Sequence, residues 1–217
     1  MSNHGCTEIL LEYINQQDIR TPIFSAQASD YVAEKLGKNH DSVRKTVAVV
    51  LGRLASQGSL KRLSKGVYGK QVVTPFGISG LSDKDAALIM LMRDDRGDII
   101  GYETGDSLMN QLGLCSQMPN KTYVASNNYR KKLAANLNIE VRCPKMHVTQ
   151  ENVKYLQVLD AIYYLNKVPV DVNNPHKVIR RLIDNNNLDI KQLYAIARRA
   201  YSKEVALSVM DIVTENV

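Results

Sequence analysis

The period of the sequence changes at Gly58, and a chain that does this has few folds open to it. Val43, Val47, Val50, Leu51 and Leu54 recur at helical spacing and define one apolar face, which Gly58 brings to a stop. Ser59 to Lys70, SLKRLSKGVYGK, then alternates Leu60 and Arg62 with Lys61 and Leu63, turns at Ser64-Lys65-Gly66 and resumes with Val67 and Tyr68. A period near 3.6 giving way to a period of two, with a glycine turn inside the second stretch, specifies a helix followed directly by a β-hairpin.

Two shorter helices precede that pair. Ile9, Leu10, Tyr13 and Ile14 place the first at about residues 7–17, and the stretch Ile19 to Phe24 reads as extended. Ser25 stands where an N-cap would open the second helix, whose stripe is Ala28, Val32 and Leu36 and whose end is Gly37. The third helix begins after the polar turn Lys38-Asn39-His40-Asp41. Three helices with a tight turn between the second and third, then a short hairpin, is the layout of a winged helix-turn-helix. In that layout the third helix enters the major groove and the hairpin tip reaches backbone or minor groove.

Charge is concentrated in the same segment. From Lys38 to Lys70 eight basic residues stand against the single acid Asp41, a balance of +7 in a chain of net charge +6, so the remainder is close to neutral. Gathered charge attracts polyanions, whereas the same charge spread evenly serves solubility. With 44% hydrophobic and 23% charged residues the 217-residue chain is globular in composition, which excludes disorder as its dominant state. No uncharged apolar run approaches the ~20 residues of a membrane span, and MSNHGCTEIL lacks the basic-then-apolar layout of a secretion signal. The expectation is a soluble, cytoplasmic protein without a membrane partner. Cys6, Cys115 and Cys143 lie far apart with no CxxC pair, which argues against a disulfide framework or a cysteine zinc site.

The fold class expected is α+β: a winged helix-turn-helix over residues 1–71, then a mixed α/β domain with a helical C-terminal part over 75–217. Pro75, Gly77, Ser79 and Gly80 mark the boundary between them, and a sub-boundary is possible near 146. Ser82-Asp83-Lys84-Asp85 looks like a capping box opening a helix through Met92. A strand from Asp98 to Tyr102, a short helix from about Asp106 to Leu112, and strands at Thr122–Ala125 and Ile139–Cys143 follow. The rest is helical: Val153 to Leu165, apolar on nearly every side, a helix opened by Asn174-Pro175, and two more at about 190–201 and 203–213.

With the stripe of the third helix turned inward, Ser42, Lys45, Ala48, Val49 and Gly52 point outward. Ser42 and Lys45 suit a base edge or phosphate, and Ala48 or Val49 a thymine methyl. Gly52 costs ~1 kcal/mol relative to alanine inside a helix; close approach to DNA would explain it, and so would close packing against the second domain. Arg44 and Arg53 on the flanks, with Lys61, Arg62 and Lys65 on the hairpin, suit phosphates, which fix register without reading sequence. The DNA-binding candidates are therefore Ser42, Arg44, Lys45, Val49, Arg53, Lys61, Arg62 and Lys65. The alternative is a protein-interaction module whose winged helix binds a protein or packs internally.

Catalysis has little support. His4, His40, His147 and His176 show no metal-binding spacing, and neither GxxxxGK[ST] nor GxGxxG occurs, so no metal site and no cofactor are expected. Asp94, Asp95 and Asp98 with Glu140-x-Arg142 faintly suggest a metal-dependent nuclease, a third and weaker alternative. Thr104 or Ser107 would cap the short helix of the second domain. Asn110 and Gln117 are candidates for an interaction surface there, and equally for bracing the turn before Pro119.

Two blocks resemble a known family. The arrangement Leu51-x2-Leu54-x3-Gly58-x-Leu60-x-Arg62-x3-Gly66-x-Tyr68 is similar to the amino-terminal domain of the AbiEi-type antitoxins of bacterial type IV toxin-antitoxin systems. Gly101 to Lys121, GYETGDSLMNQLGLCSQMPNK, resembles that family's stretch from a strand through a short helix to a Gln-x-Pro turn, matched at Asn110, Leu112, Gly113, Leu114, Ser116, Gln117 and Pro119. Cys115 and Met118 depart from it, standing where small polar and β-branched residues are usual. The resemblance implies an antitoxin that also represses its own operon, binding double-stranded promoter DNA through the winged helix. It further implies a nucleotidyltransferase-like toxin as functional partner, countered without a stable complex.

Overall fold

The structure, a computed structural model, describes residues 3–214. The chain is mixed α+β and divides after Asp98 into two compact units. The first contains α1 (Asn3–Gln16), β1 (Ile23–Phe24), α2 (Ser25–Leu36), α3 (His40–Ser56), β2 (Leu60–Ser64), β3 (Val67–Thr74), β4 (Gly77–Gly80) and α4 (Asp83–Met92). Strand β3 is central, with antiparallel β1 on one side and β2 on the other. Leu10 and Ile14 of α1, Ala28 and Val32 of α2, and Val43, Val47, Val50 and Leu51 of α3 close one core with Ile23, Leu60 and Tyr68.

The caps are local chemistry. Asn39 opens α3 by accepting from the Asp41 amide. Gly37 ends α2 in the left-handed region at φ 59°, where its amide and the next reach back to Glu34 and Ala33. Ser25 is not the N-cap of α2: Phe24 holds that position, and Ser25 is already helical, its amide donating to the Gly66 carbonyl at the hairpin turn, 2.8 Å.

The expected boundary at 71–75 is a correction. Residues 69–82 are no linker, because β3 runs on through Val72 and Val73, turns at Pro75-Phe76 and returns as β4 in register Gln71↔Gly80 to Thr74↔Gly77. Helix α4 then belongs to the first unit. Its capping box is complete, with the Ser82 hydroxyl accepting from the Asp85 amide and the Asp85 carboxylate accepting from the Ser82 amide. Leu81 packs over Gly69, and Ala86, Ala87 and Leu91 are buried.

The second unit is built from β5 (Gly101–Thr104), α5 (Gly105–Gln111), β6 (Thr122–Ser126), a 3-10 turn (Ala135–Leu137), β7 (Ile139–Arg142), α6 (Val153–Tyr164), α7 (Pro175–Asn185), α8 (Ile190–Ala200) and α9 (Lys203–Thr214). The sheet order is β5-β6-β7, the first pair antiparallel and the second parallel. Strand β5 starts at Gly101 rather than Asp98, because Asp94 to Asp98 close a turn in which the Asp94 carboxylate accepts from the amides of Arg96 and Asp98. Helix α6 is buried on nearly every side, and one core joins the sheet to α6–α9 through Tyr102, Ala125, Leu156, Leu159, Ile183, Leu193 and Val209. That shared core leaves no sub-boundary near 146. Among the described residues no helix is long and apolar enough to cross a membrane.

Candidate nucleic-acid interface

Helix α3 buries Val43, Val47, Val50 and Leu51 and leaves Ser42, Lys45, Ala48 and Val49 exposed, Val49 to 71%. Val49 thus stands open on a helix whose other face is packed. Gly52 has no heavy atom within 4 Å of where a Cβ would stand, so packing does not call for a glycine there. Arg44 and Arg53 are exposed on the two flanks.

The hairpin contributes unequally. Arg62 is exposed on β2, its Nε reaching the Ser64 carbonyl at 3.4 Å, and Lys65 is exposed at the turn. Among the described residues Arg44, Lys45, Arg53, Arg62 and Lys65 meet no carboxylate within 4.0 Å. Lys61 differs: its ammonium lies 2.7 Å from the Asp83 carboxylate at the start of α4, so this candidate phosphate contact already has an anion. Lys70 donates to the carbonyls of Asn15 and Gln17, fastening the hairpin to the end of α1. Tyr68 is in the core, as its place at the hairpin closure suggests.

The hairpin tip is short and held. Strand β1 pairs with β3 immediately after the turn, at Phe24↔Val67. Glycine is favoured at position 66 by its φ of 76°, and a Cβ there would come within 2.9 Å of the Ser25 hydroxyl, which would have to turn away. Beside the turn a cleft of about 830 Å³ is lined by Arg44, Arg62, Lys65 and Arg96 and also by Asp30, Asp41, Asp95 and Asp98. Four bases face four acids there, so Arg44, Arg62 and Lys65 stand in charge-balanced surroundings, whereas Lys45 and Arg53 lie outside the cleft lining. His40 at the start of α3 has Asp30 at 3.2 Å and Asp41 at 3.7 Å.

In the second unit Asn110 braces its own loop, its amide donating to the carbonyls of Cys115 and Gln117, while Gln117 is exposed. Thr104 occupies the N-cap position of α5 without capping it; its hydroxyl turns to Asp160. Asp160 is the functional-looking group that the sequence conceals. It is buried on α6 and accepts from Tyr102, Thr104 and Tyr201, and burial raises its pKa above the ordinary carboxylate value despite those donors. Of the acids of the nuclease alternative, Asp94 holds its turn and Glu140 lies between Lys121 and Arg142, while Asp95 and Asp98 are exposed. Among the described residues no group of three or more His, Cys, Asp or Glu could hold a metal. Cys6 and Cys115 are buried, Cys143 is exposed, and all three are free.

No model of a known protein family matches this chain, and no curated protein matches it.

Proposed function

We propose that this chain binds double-stranded DNA through α3 and represses transcription, the three helices and following hairpin acting as a winged helix-turn-helix. One observation carries the reading: a small-faced helix holds Lys45 and Val49 outward between Arg44 and Arg53, with no carboxylate of the described residues within 4.0 Å of the three cations. Lys45, Ala48 and Val49 meet base edges, the last two offering methyl groups to thymine. Arg44, Arg53, Arg62 and Lys65 take phosphates and fix the register. Arg44, Arg62 and Lys65 share a cleft with Asp30, Asp41, Asp95 and Asp98, whose charge reduces what each of these three phosphate contacts contributes.

The resemblance of residues 51–68 and 101–121 to AbiEi-type antitoxins extends this reading to a repressor of its own operon that opposes a nucleotidyltransferase-like toxin. The test is fluorescence anisotropy with duplex from the region upstream of its own reading frame. Four phosphate contacts give a slope of log K against log salt of about −3.6. Lys45→Ala combined with Arg62→Ala and Lys65→Ala abolishes specific binding, whereas Lys61→Ala leaves it nearly unchanged, because Lys61 is paired to Asp83. Salt-independent binding, or an unaffected triple variant, refutes the proposal.

A further inference from the structure

We propose that the second unit carries a separate surface for single-stranded nucleic acid, built from the loops that leave the carboxyl ends of β6 and β7. These strands are parallel, so both loops emerge at one edge of the sheet, where open sheets with parallel strands place their ligand sites. Asn127 stitches the loops together: its amide donates to the Val148 carbonyl at 2.9 Å, its carbonyl accepts from the Val148 amide at 2.9 Å, and it lies 3.4 Å from the His147 ring. The root of the first loop is thus as fixed as a paired strand.

On that root stand Tyr129, Arg130, Lys131 and Lys132 in succession, all exposed, and the second loop adds exposed Lys145 and His147. Neither loop, 127–134 or 143–148, contains an acid. Among the described residues Arg130 and Lys132 have no carboxylate within 4.0 Å. The Arg130 guanidinium lies 5.5 Å from the centroid of the Tyr129 ring, and an open cleft of about 670 Å³ runs along residues 127–131. Cations alone would suit any polyanion. An exposed phenol ring carrying a guanidinium adds a stacking platform, which a base can use only when its face is not hidden in a duplex. The surface also lacks a projecting helix to enter a groove. This surface is independent of α3 and of the duplex reading.

The test is anisotropy of full-length protein with labelled oligo(dT) and oligo(U) of about 20 nucleotides, long enough to cover one such site. Both bind. Tyr129→Ala weakens binding about tenfold while Tyr129→Phe retains it, since stacking needs the ring and not the hydroxyl. Arg130→Ala with Lys132→Ala lowers the salt slope by about 1.4, two single-strand phosphate contacts. Lys45→Ala changes nothing here, which separates failure of this site from failure of α3. The proposal is overturned if neither oligomer binds, if Tyr129→Ala binds as well as wild type, or if heparin or anionic vesicles show the same dependence on Tyr129.

Discussion

Gly52 and Asp160 each stand where stability alone would choose another residue. A helical glycine costs about 1 kcal/mol relative to alanine, and the empty space around the Cβ position of Gly52 means that alanine would fit the free protein. Gly52→Ala should therefore raise unfolding free energy by about 0.5–1 kcal/mol in urea titrations. The same methyl should weaken duplex binding if the backbone approaches DNA there; a variant more stable and equally active would remove that role. Asp160 tests the other unit. Because its folded pKa is raised, the native state holds the proton more tightly than the unfolded chain, so its contribution to stability is present at low pH and lost as pH rises from the ordinary carboxylate value through the folded one. Asp85, lowered by its hydrogen bonds to Ser82, slopes the opposite way, but equally in wild type and variant. Subtracting urea stabilities of Asp160→Asn from wild type between about pH 4 and 8 isolates the Asp160 slope, which is negative. A flat or rising difference contradicts the burial argument.

At the scale of elements, most of the fold was legible because each helix carries both a stripe and a stop. Asn39, Ser82 and Asn174 all cap the helices that follow them, and the hairpin turn falls at Lys65-Gly66 as its alternation requires. What misled was punctuation. Pro75, Gly77 and Gly80 look like a linker, yet Gly77 sits at φ 117° to complete a hairpin, and a Cβ on Gly80 would lie 2.6 Å from the Lys70 carbonyl oxygen. Glycine marks close backbone approach as readily as it marks flexibility, and only the pairing partner distinguishes the two. Gly80→Ala, against backbone that cannot yield as a side chain would, should cost about 2 kcal/mol, opposite in sign to Gly52→Ala. Equal stability would mean that the β3–β4 hairpin does not hold its close register in solution. The site was legible in the same uneven way. The outward face of α3 follows from a wheel, but the Lys61–Asp83 pair and the Asp160 hydroxyl network join residues 22 and 41 to 58 positions apart, which local pattern does not report.

For the whole molecule, the decisive question is where an independent folding unit ends. A boundary at 71 would cut β3 in half and discard β4, α4 and the turn at Asp94–Asp98, although Leu81 covers Gly69, Asp83 neutralises Lys61 and the Asp95 carbonyl lies beside the hairpin turn at Gly66. Removing those elements would uncover Gly69 and leave Lys61 without its anion. The fragment 1–98 keeps all of them, with a core of its own distinct from that of residues 99–217. It should melt cooperatively by circular dichroism and bind the upstream duplex with the same salt slope as the full chain, since every proposed duplex contact lies within it. The fragment 1–71 should melt without a cooperative transition. Equal melting of the two fragments would show that β4 and α4 are attachments rather than parts of the unit. A stable 1–98 fragment with no affinity for duplex would place the recognition outside α3.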